Sequence, residues 1–91
     1  MSLNARQIKQ TKLEMAKNFE SLNAAPEIIK ADLGFSSLDL KNALAVVPHY
    51  NPTNVWKLRD YLEEKITEQG KEFYPFSVLT HNIYYPYTKT W

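Results

Sequence analysis

Helix start and stop signals divide most of the chain into four short segments. The segments begin at Asn4, Pro26, Ser36 and Pro52. Asn and Ser favour the position before a helix because their side-chain oxygens accept hydrogen bonds from free backbone N–H groups, and Pro suits the first helical turn. Gly34 and Gly70 follow the second and fourth segments, where glycine commonly ends a helix. This punctuation predicts an all-α fold, a small bundle of four to five helices.

Apolar residues recur within these segments at the spacing of one helical face. In the first segment they are Ile8, Met15, Phe19 and Leu22, and in the fourth Val55, Leu58, Leu62 and Ile66. The third segment, from Ser36 to about Ala45, is expected to end before Pro48. The opposite face of the fourth helix carries Lys57, Arg59, Asp60, Glu63, Glu64, Lys65 and Glu68. This mixture of charges predicts a face exposed to solvent.

After Gly70 the composition changes to an aromatic-rich segment, residues 71–91, which is called the C-terminal arm below. Its aromatic residues are Phe73, Tyr74, Phe76, Tyr84, Tyr85, Tyr87 and Trp91. We predict a short helix over 77–82 and extended chain elsewhere. Tyrosine offers a ring to a core and a hydroxyl to water, so the arm is expected to fold back over the bundle and to land on Trp56.

A subunit or partner interface is the alternative role for the aromatic residues. Its members would be Trp56, Tyr84, Tyr85, Tyr87 and Trp91. Stacking on single-stranded nucleic acid is disfavoured, because such grooves interleave aromatic residues with Lys and Arg and the arm has few.

Size and composition limit the chain to one soluble helical domain spanning residues 1–91. Its 91 residues leave no room for a second core, and 44% hydrophobic with 23% charged residues is typical of globular proteins. The absence of cysteine excludes disulfides and thiolate metal sites. Without a continuous apolar run, neither a signal peptide nor a membrane span is expected, which favours a cytoplasmic location.

Catalytic and metal-binding patterns are missing from the sequence. His49 and His81 are the two imidazoles, and neither lies in a metal-ligand spacing such as HxxxH. No set of nucleophile, base and orienting residue can be named. The sequence therefore predicts no enzymatic activity, no metal and no cofactor.

Residues 26–45 have the pattern of a helix-turn-helix, two short helices joined through a glycine. The stretch "IIKADLGFSSLDLKNAL" resembles the helix-turn-helix of the lambda-repressor-like DNA-binding domains, with Gly34 at the turn, Leu33 before it and Leu40 in the core of the reading helix. The resemblance covers about residues 5–66. It implies a small helical bundle whose third helix lies in the major groove of DNA.

Lys30 departs from the pattern of those domains. They usually carry Ala four residues before the turn glycine, where two helices touch. Either the Lys30 stem runs out to solvent or the register is shifted by one residue.

The DNA-binding hypothesis assigns contacts to a small set of residues around the third helix. They are Lys30, Ser36, Ser37, Leu38, Lys41 and Asn42, with Arg6, Lys9 and Lys12 extending the basic patch. Asn42 carries an amide, which is suited to hydrogen bonds with adenine, while the lysines are suited to contacts with phosphates. Because the net charge is +1, affinity has to come from this local patch. A reading helix so sparsely equipped predicts a homodimer on double-stranded DNA.

A non-catalytic protein-interaction or structural module on the same helical scaffold is the alternative function. The chain as a whole, from "SLNARQIKQT" through "NPTNVWKLRDYLEEKITEQGKEFYPFSVL" to "NIYYPY", is also similar to a domain-of-unknown-function family of small bacterial proteins. That resemblance implies a helix-turn-helix-like fold in a bacterial cytoplasm and no established activity.

Overall fold

A computed structural model describes residues 3–47, 50–80, 82 and 84–91, and within these ranges the chain forms four helices and no strand. The helices are α1 (Ala5–Leu22), α2 (Pro26–Leu33), α3 (Ser37–Leu44) and α4 (Pro52–Glu68). The all-α prediction is confirmed for this part of the chain. Pro48, expected to end the third helix, lies outside the described residues.

The helix boundaries lie where the sequence signals place them. Asn4 Oδ1 accepts a hydrogen bond from the Gln7 backbone N–H at 2.8 Å, and the Gln7 side chain accepts one from the Asn4 N–H at 3.0 Å. Ser36 and Asp39 form the same reciprocal pair at the start of α3. Asn51 caps α4. Each cap satisfies backbone donors that the helix itself leaves unpaired.

Helix α4 is the centre of the bundle and packs against α1, α2 and α3. Its predicted apolar residues Val55, Leu58, Leu62 and Ile66 are all buried. Trp56 and Tyr61 are buried as well, so the buried face of α4 is broader than its apolar spacing indicates. Burial of such side chains contributes about 1.5–3 kcal/mol each to stability.

The C-terminal arm lies against α1 and α4. Phe76 and Leu79 join the hydrophobic core. The arm is also held through its backbone, because the Asn18 side chain accepts from the Tyr74 N–H at 2.9 Å and donates to the Tyr74 carbonyl at 2.7 Å. The arm therefore belongs to the fold of its own chain.

The short helix predicted over 77–82 is wrong for the described residues 77–80 and 82, which are bent and extended. The Ser77 N–H donates to the Glu14 carboxylate at 3.2 Å, and the Asn82 side chain pairs with the backbone of Tyr85. The Thr80 N–H donates to the Val78 carbonyl, two residues back, whereas in an α-helix it would donate four residues back.

The charged face of α4, predicted to be solvated, is partly covered by the end of the arm. Tyr87 Oη donates to Asp60 Oδ2 at 2.5 Å, and the Trp91 indole N–H donates to Glu64. The Trp91 ring stands edge-on to Tyr61 with centroids 5.4 Å apart. Tyr61 is therefore the ring beneath the arm's end, whereas Trp56, the predicted landing place, is buried in the core.

Candidate nucleic-acid interface

The turn between α2 and α3 depends on one backbone conformation. Gly34 has φ 69° and ψ 32°, in the left-handed region that side chains with a Cβ disfavour. The Phe35 N–H donates to the Lys30 carbonyl at 2.9 Å, and the Phe35 ring is buried. The chain therefore leaves α2 at Gly34 and begins α3 as a separate helix.

Lys57 of α4 fixes this turn from the core side. Its Nζ donates to the Leu33 carbonyl at 2.7 Å and lies 5.8 Å from the centre of the Phe35 ring. Burial lowers the pKa of Lys57 from its ordinary value. The sequence places Lys57 on the charged face of α4 but does not reveal this role, because its hydrogen-bond partner is distant along the chain.

Helix α3 turns one face to the core and the other to solvent. Leu40 and Ala43 are buried. The predicted DNA-contact residues Ser36, Ser37, Leu38 and Lys41 are exposed, and Asn42 is half-buried. Leu38 is a large apolar side chain with 54% of its surface exposed. The structure thus keeps this set of residues together on the outer side of α3.

The beginning of α3 carries its own negative charge. The hydrogen bond from the Ser36 backbone N–H lowers the pKa of the Asp39 carboxyl, so this side chain is ionised at neutral pH. Tyr50 Oη also donates to Asp39, at 3.3 Å. Because this carboxylate already occupies the start of α3, a phosphate group would be repelled there.

Lys30 spans the gap between α2 and α3. Its side chain is only 17% exposed, and Nζ lies 3.0 Å from Ser37 Oγ and 2.9 Å from Glu27 Oε1. The aliphatic stem of Lys30 therefore lies between α2 and α3 and does not run out to solvent. Glu27 is 82% exposed, and such a pair is weak enough for Lys30 to exchange it for another anion.

A groove of about 740 Å³ runs between α1 and α3 and is called the α1–α3 groove below. Its apolar lining consists of Ala16, Phe19, Pro26, Leu40, Leu44 and Ala45. Lys12, Lys30 and Lys41, one from each of the first three helices, also line it. Glu20 is the acidic residue of the lining. The groove thus combines an apolar lining with three lysines.

The predicted interface residues differ in the fraction of their surface that is exposed to solvent. Tyr84 is 80% exposed, whereas Trp56 is buried. Tyr85, Tyr87 and Trp91 are half-buried, and Tyr87 and Trp91 are bound to α4 of their own chain. The surface that this set offers to a second molecule therefore centres on Tyr84.

The described ranges contain neither a cluster of metal-binding side chains nor a helix that could span a membrane. No group of three His, Asp or Glu side chains there is arranged to hold a metal ion, and His49 and His81 lie outside these ranges. Of the helices in these ranges, none combines the length and apolar character needed to cross a bilayer.

A family model of known proteins matches nearly the whole chain. The family model described as an uncharacterized protein conserved in bacteria (DUF2316) matches residues 1–89. No curated protein and no solved structure matches the chain. Since the family model covers nearly the whole sequence, the chain belongs to the DUF2316 family of uncharacterised proteins conserved in bacteria.

Proposed function

We propose that this protein binds double-stranded DNA, with α2 and α3 acting as a helix-turn-helix of the lambda-repressor-like type. The observation that carries the proposal is the exposed outer face of α3 beside Lys12, Lys30 and Lys41, which line a single groove. Positive charge next to a protruding helix is the arrangement that major-groove recognition needs. The role is one of binding, without catalysis, in the bacterial cytoplasm.

Each residue has a part in the proposed complex. Lys12, Lys30 and Lys41 contact phosphates, which provides affinity without sequence preference. Asn42 is the amide suited to adenine, and the exposed Leu38 side chain suits the methyl group of thymine. So few base contacts give one protomer little specificity. We therefore propose that two copies bind two half-sites of one operator.

Reversing the charge of Lys41 tests the proposal. Fluorescence anisotropy with a labelled duplex at about 50 mM salt is expected to show roughly tenfold weaker binding for Lys41→Glu. Lys71→Glu is the matched control, because Lys71 is exposed and does not line the α1–α3 groove. Helical circular dichroism has to be the same for both variants. Equal affinities of Lys41→Glu and the unmodified protein would remove α3 as the DNA-binding element.

A second candidate function, protein interaction on the same scaffold, is favoured by the apolar lining of the α1–α3 groove. Contact with DNA phosphates requires no such apolar surface.

A further inference from the structure

We infer that the α1–α3 groove binds an amphipathic helix of a partner protein, one that is apolar along one face and acidic along its flanks. Partner helices commonly dock into apolar grooves through side chains spaced three, four and seven residues apart. Three properties of the groove point to such an occupant: the spacing of its walls, its continuation along α1, and its charge.

The walls of the groove are two helical stripes. From α1 they are Lys12, Ala16, Phe19 and Glu20, and from α3 Ser37, Leu40, Lys41, Leu44 and Ala45. Along each helix the lining recurs after three or four residues, and Glu20, Lys41 and Ala45 each follow another lining residue directly, as on one helix face. Two neighbouring helices with such stripes exposed form a groove between them. A ridge of side chains on a third helix packs into a groove of this kind.

The apolar surface continues along α1 beyond the groove. A second depression of about 450 Å³ is lined by Leu13 and Ala16, with Arg6, Lys9, Gln10 and Lys12 around them. It shares Lys12 and Ala16 with the α1–α3 groove. Leu13, in this second depression, is 49% exposed. The length of this combined surface suits a helix of several turns better than a compact small molecule.

The charge around this surface identifies the chemistry of the partner. The basic residues that line it are Arg6, Lys9, Lys12, Lys30 and Lys41. Glu20 is the acidic residue in the lining of the α1–α3 groove, and the lining of the second depression has none. Complementary charges steer association and favour acidic flanks on the partner. A second copy of this chain, docked through the same face, would bring these basic residues against each other, which disfavours self-association here.

Docking of such a helix has a consequence that rests on the proposed function. Lys30, Ser37 and Lys41 line the groove and also belong to the proposed DNA-contact set. A helix seated there covers these residues, so the acidic partner and DNA exclude each other. In that case the partner acts as an antagonist of DNA binding.

The binding experiment uses a pair of designed peptides and no DNA. Both peptides are labelled amphipathic helices of about five turns with leucine along one face; one has Glu flanks and the other Lys flanks. We expect the Glu-flanked peptide to bind the full chain, and the Lys-flanked peptide to bind at least about tenfold more weakly. Equal binding of the two peptides would overturn the inference, and so would absence of binding.

Two variants locate the binding site. Ala16→Trp fills the groove from an exposed position of α1 and is expected to weaken binding of the Glu-flanked peptide about tenfold. Ala31→Trp is the matched control, because Ala31 is exposed on α2 and lines neither depression. Equal effects of the two tryptophans would contradict docking in the groove.

A charge exchange gives an independent result. The double variant Lys12→Glu with Lys41→Glu is expected to lose the Glu-flanked peptide and to gain affinity for the Lys-flanked one. An unchanged preference would overturn the assignment of the acidic partner. Addition of duplex DNA then tests the exclusion separately: peptide binding without competition by DNA would contradict the proposed DNA site and leave the helix-docking inference intact.

Discussion

At the scale of single residues, two buried polar side chains of α1 hold the C-terminal arm. Glu14 and Asn18 are 2% and 0% exposed and lie one helical turn apart. Glu14 accepts from the Ser77 backbone N–H and from Ser77 Oγ, and Asn18 makes two hydrogen bonds with the backbone of Tyr74. A buried polar group destabilises a fold unless it is paired, so these residues stabilise the fold only while the arm is in place.

Replacement of Asn18 tests this attachment. Asn18→Ala leaves the backbone N–H and carbonyl of Tyr74 without their side-chain partners, and the free energy of unfolding is expected to fall by about 2–3 kcal/mol. Urea denaturation measures the change. Lys9→Ala, at an exposed position of the same helix, is the control and is expected to change stability by less than about 0.5 kcal/mol. A loss as small as the control's would show that the arm is held elsewhere.

Glu64 makes the end of the arm sensitive to acid. The hydrogen bond from Lys89, and next the one from the Trp91 indole, lower the pKa of Glu64 from its ordinary value of 4.5. The carboxylate is favoured in the folded state, so its contribution is complete above pH 4.5 and is lost as pH falls through the lowered pKa. The Trp91 indole resonance in NMR is expected to shift in that acidic range.

Glu64→Gln is the control for this titration, because glutamine cannot lose its interaction by protonation. Its Trp91 resonance is expected to stay constant over the same acidic range. A titration of equal size in this variant would assign the pH response to another group.

At the scale of elements, the turn between α2 and α3 is what presents α3 as a separate helix. Gly34 has positive φ, and a Cβ added there would have nothing within 4 Å. The requirement for glycine is therefore conformational and does not arise from crowding. Lys57 then holds the Leu33 carbonyl just before the turn.

Gly34→Ala is expected to destabilise the protein by about 1–2 kcal/mol, the cost of the left-handed conformation for a residue with a Cβ. Gly34→Asn is expected to cost less, because asparagine tolerates that region better. Thermal or urea unfolding of the two variants measures which of them is more stable. If alanine and asparagine were equally well tolerated, strain at φ would not govern this turn.

The elements show how far the sequence predicts the fold. The caps at Asn4 and Ser36 and the stop at Gly34 depend on residues within a few positions of each other, and the sequence predicts all of them. Glu14 and Asn18 act on residues 63 and 56 positions away, so nothing near them in the chain signals their burial. The helix predicted over 77–82 is wrong for the described residues, where the segment is attached to distant side chains: Glu14 accepts from Ser77, and Arg59 donates to the Leu79 carbonyl.

In the candidate site, too, the sequence predicts the features that depend on one helix and misses those that depend on packing between helices. The outward position of Ser37, Leu38 and Lys41 follows from the helical period of α3 and was predicted. The apolar lining of the α1–α3 groove was not, because it depends on how α1 packs beside α3. A helical period identifies which face of each helix is apolar, but not how much of that face a neighbour covers.

At the scale of the whole molecule, charge is distributed unevenly on a nearly neutral protein. The net charge is +1, yet Lys12, Lys30 and Lys41 line one groove. Acidic residues of α4, among them Asp60 and Glu64, are bound by the arm on another side of the bundle. The arm thereby occupies the acidic surface, and the outer residues of α3 stay exposed.

This distribution predicts a modest salt dependence of DNA binding. For one protomer on a duplex that carries a single half-site, three phosphate contacts give a slope of log K against log salt of about −3. Anisotropy titrations at several salt concentrations measure the slope, and Lys12→Glu is expected to make it shallower by about one. A slope near zero would mean that DNA, if bound at all, is not held through these lysines.

An NMR titration of the isotope-labelled protein with a short duplex at low salt locates the DNA-binding surface residue by residue. If α3 reads DNA, backbone shifts are expected to concentrate at Ser36 to Asn42 and at Lys12 and Lys30, while the resonances of residues 84–91 stay in place. Shifts concentrated in residues 84–91, or none at any DNA concentration, would contradict α3 as the DNA-reading helix.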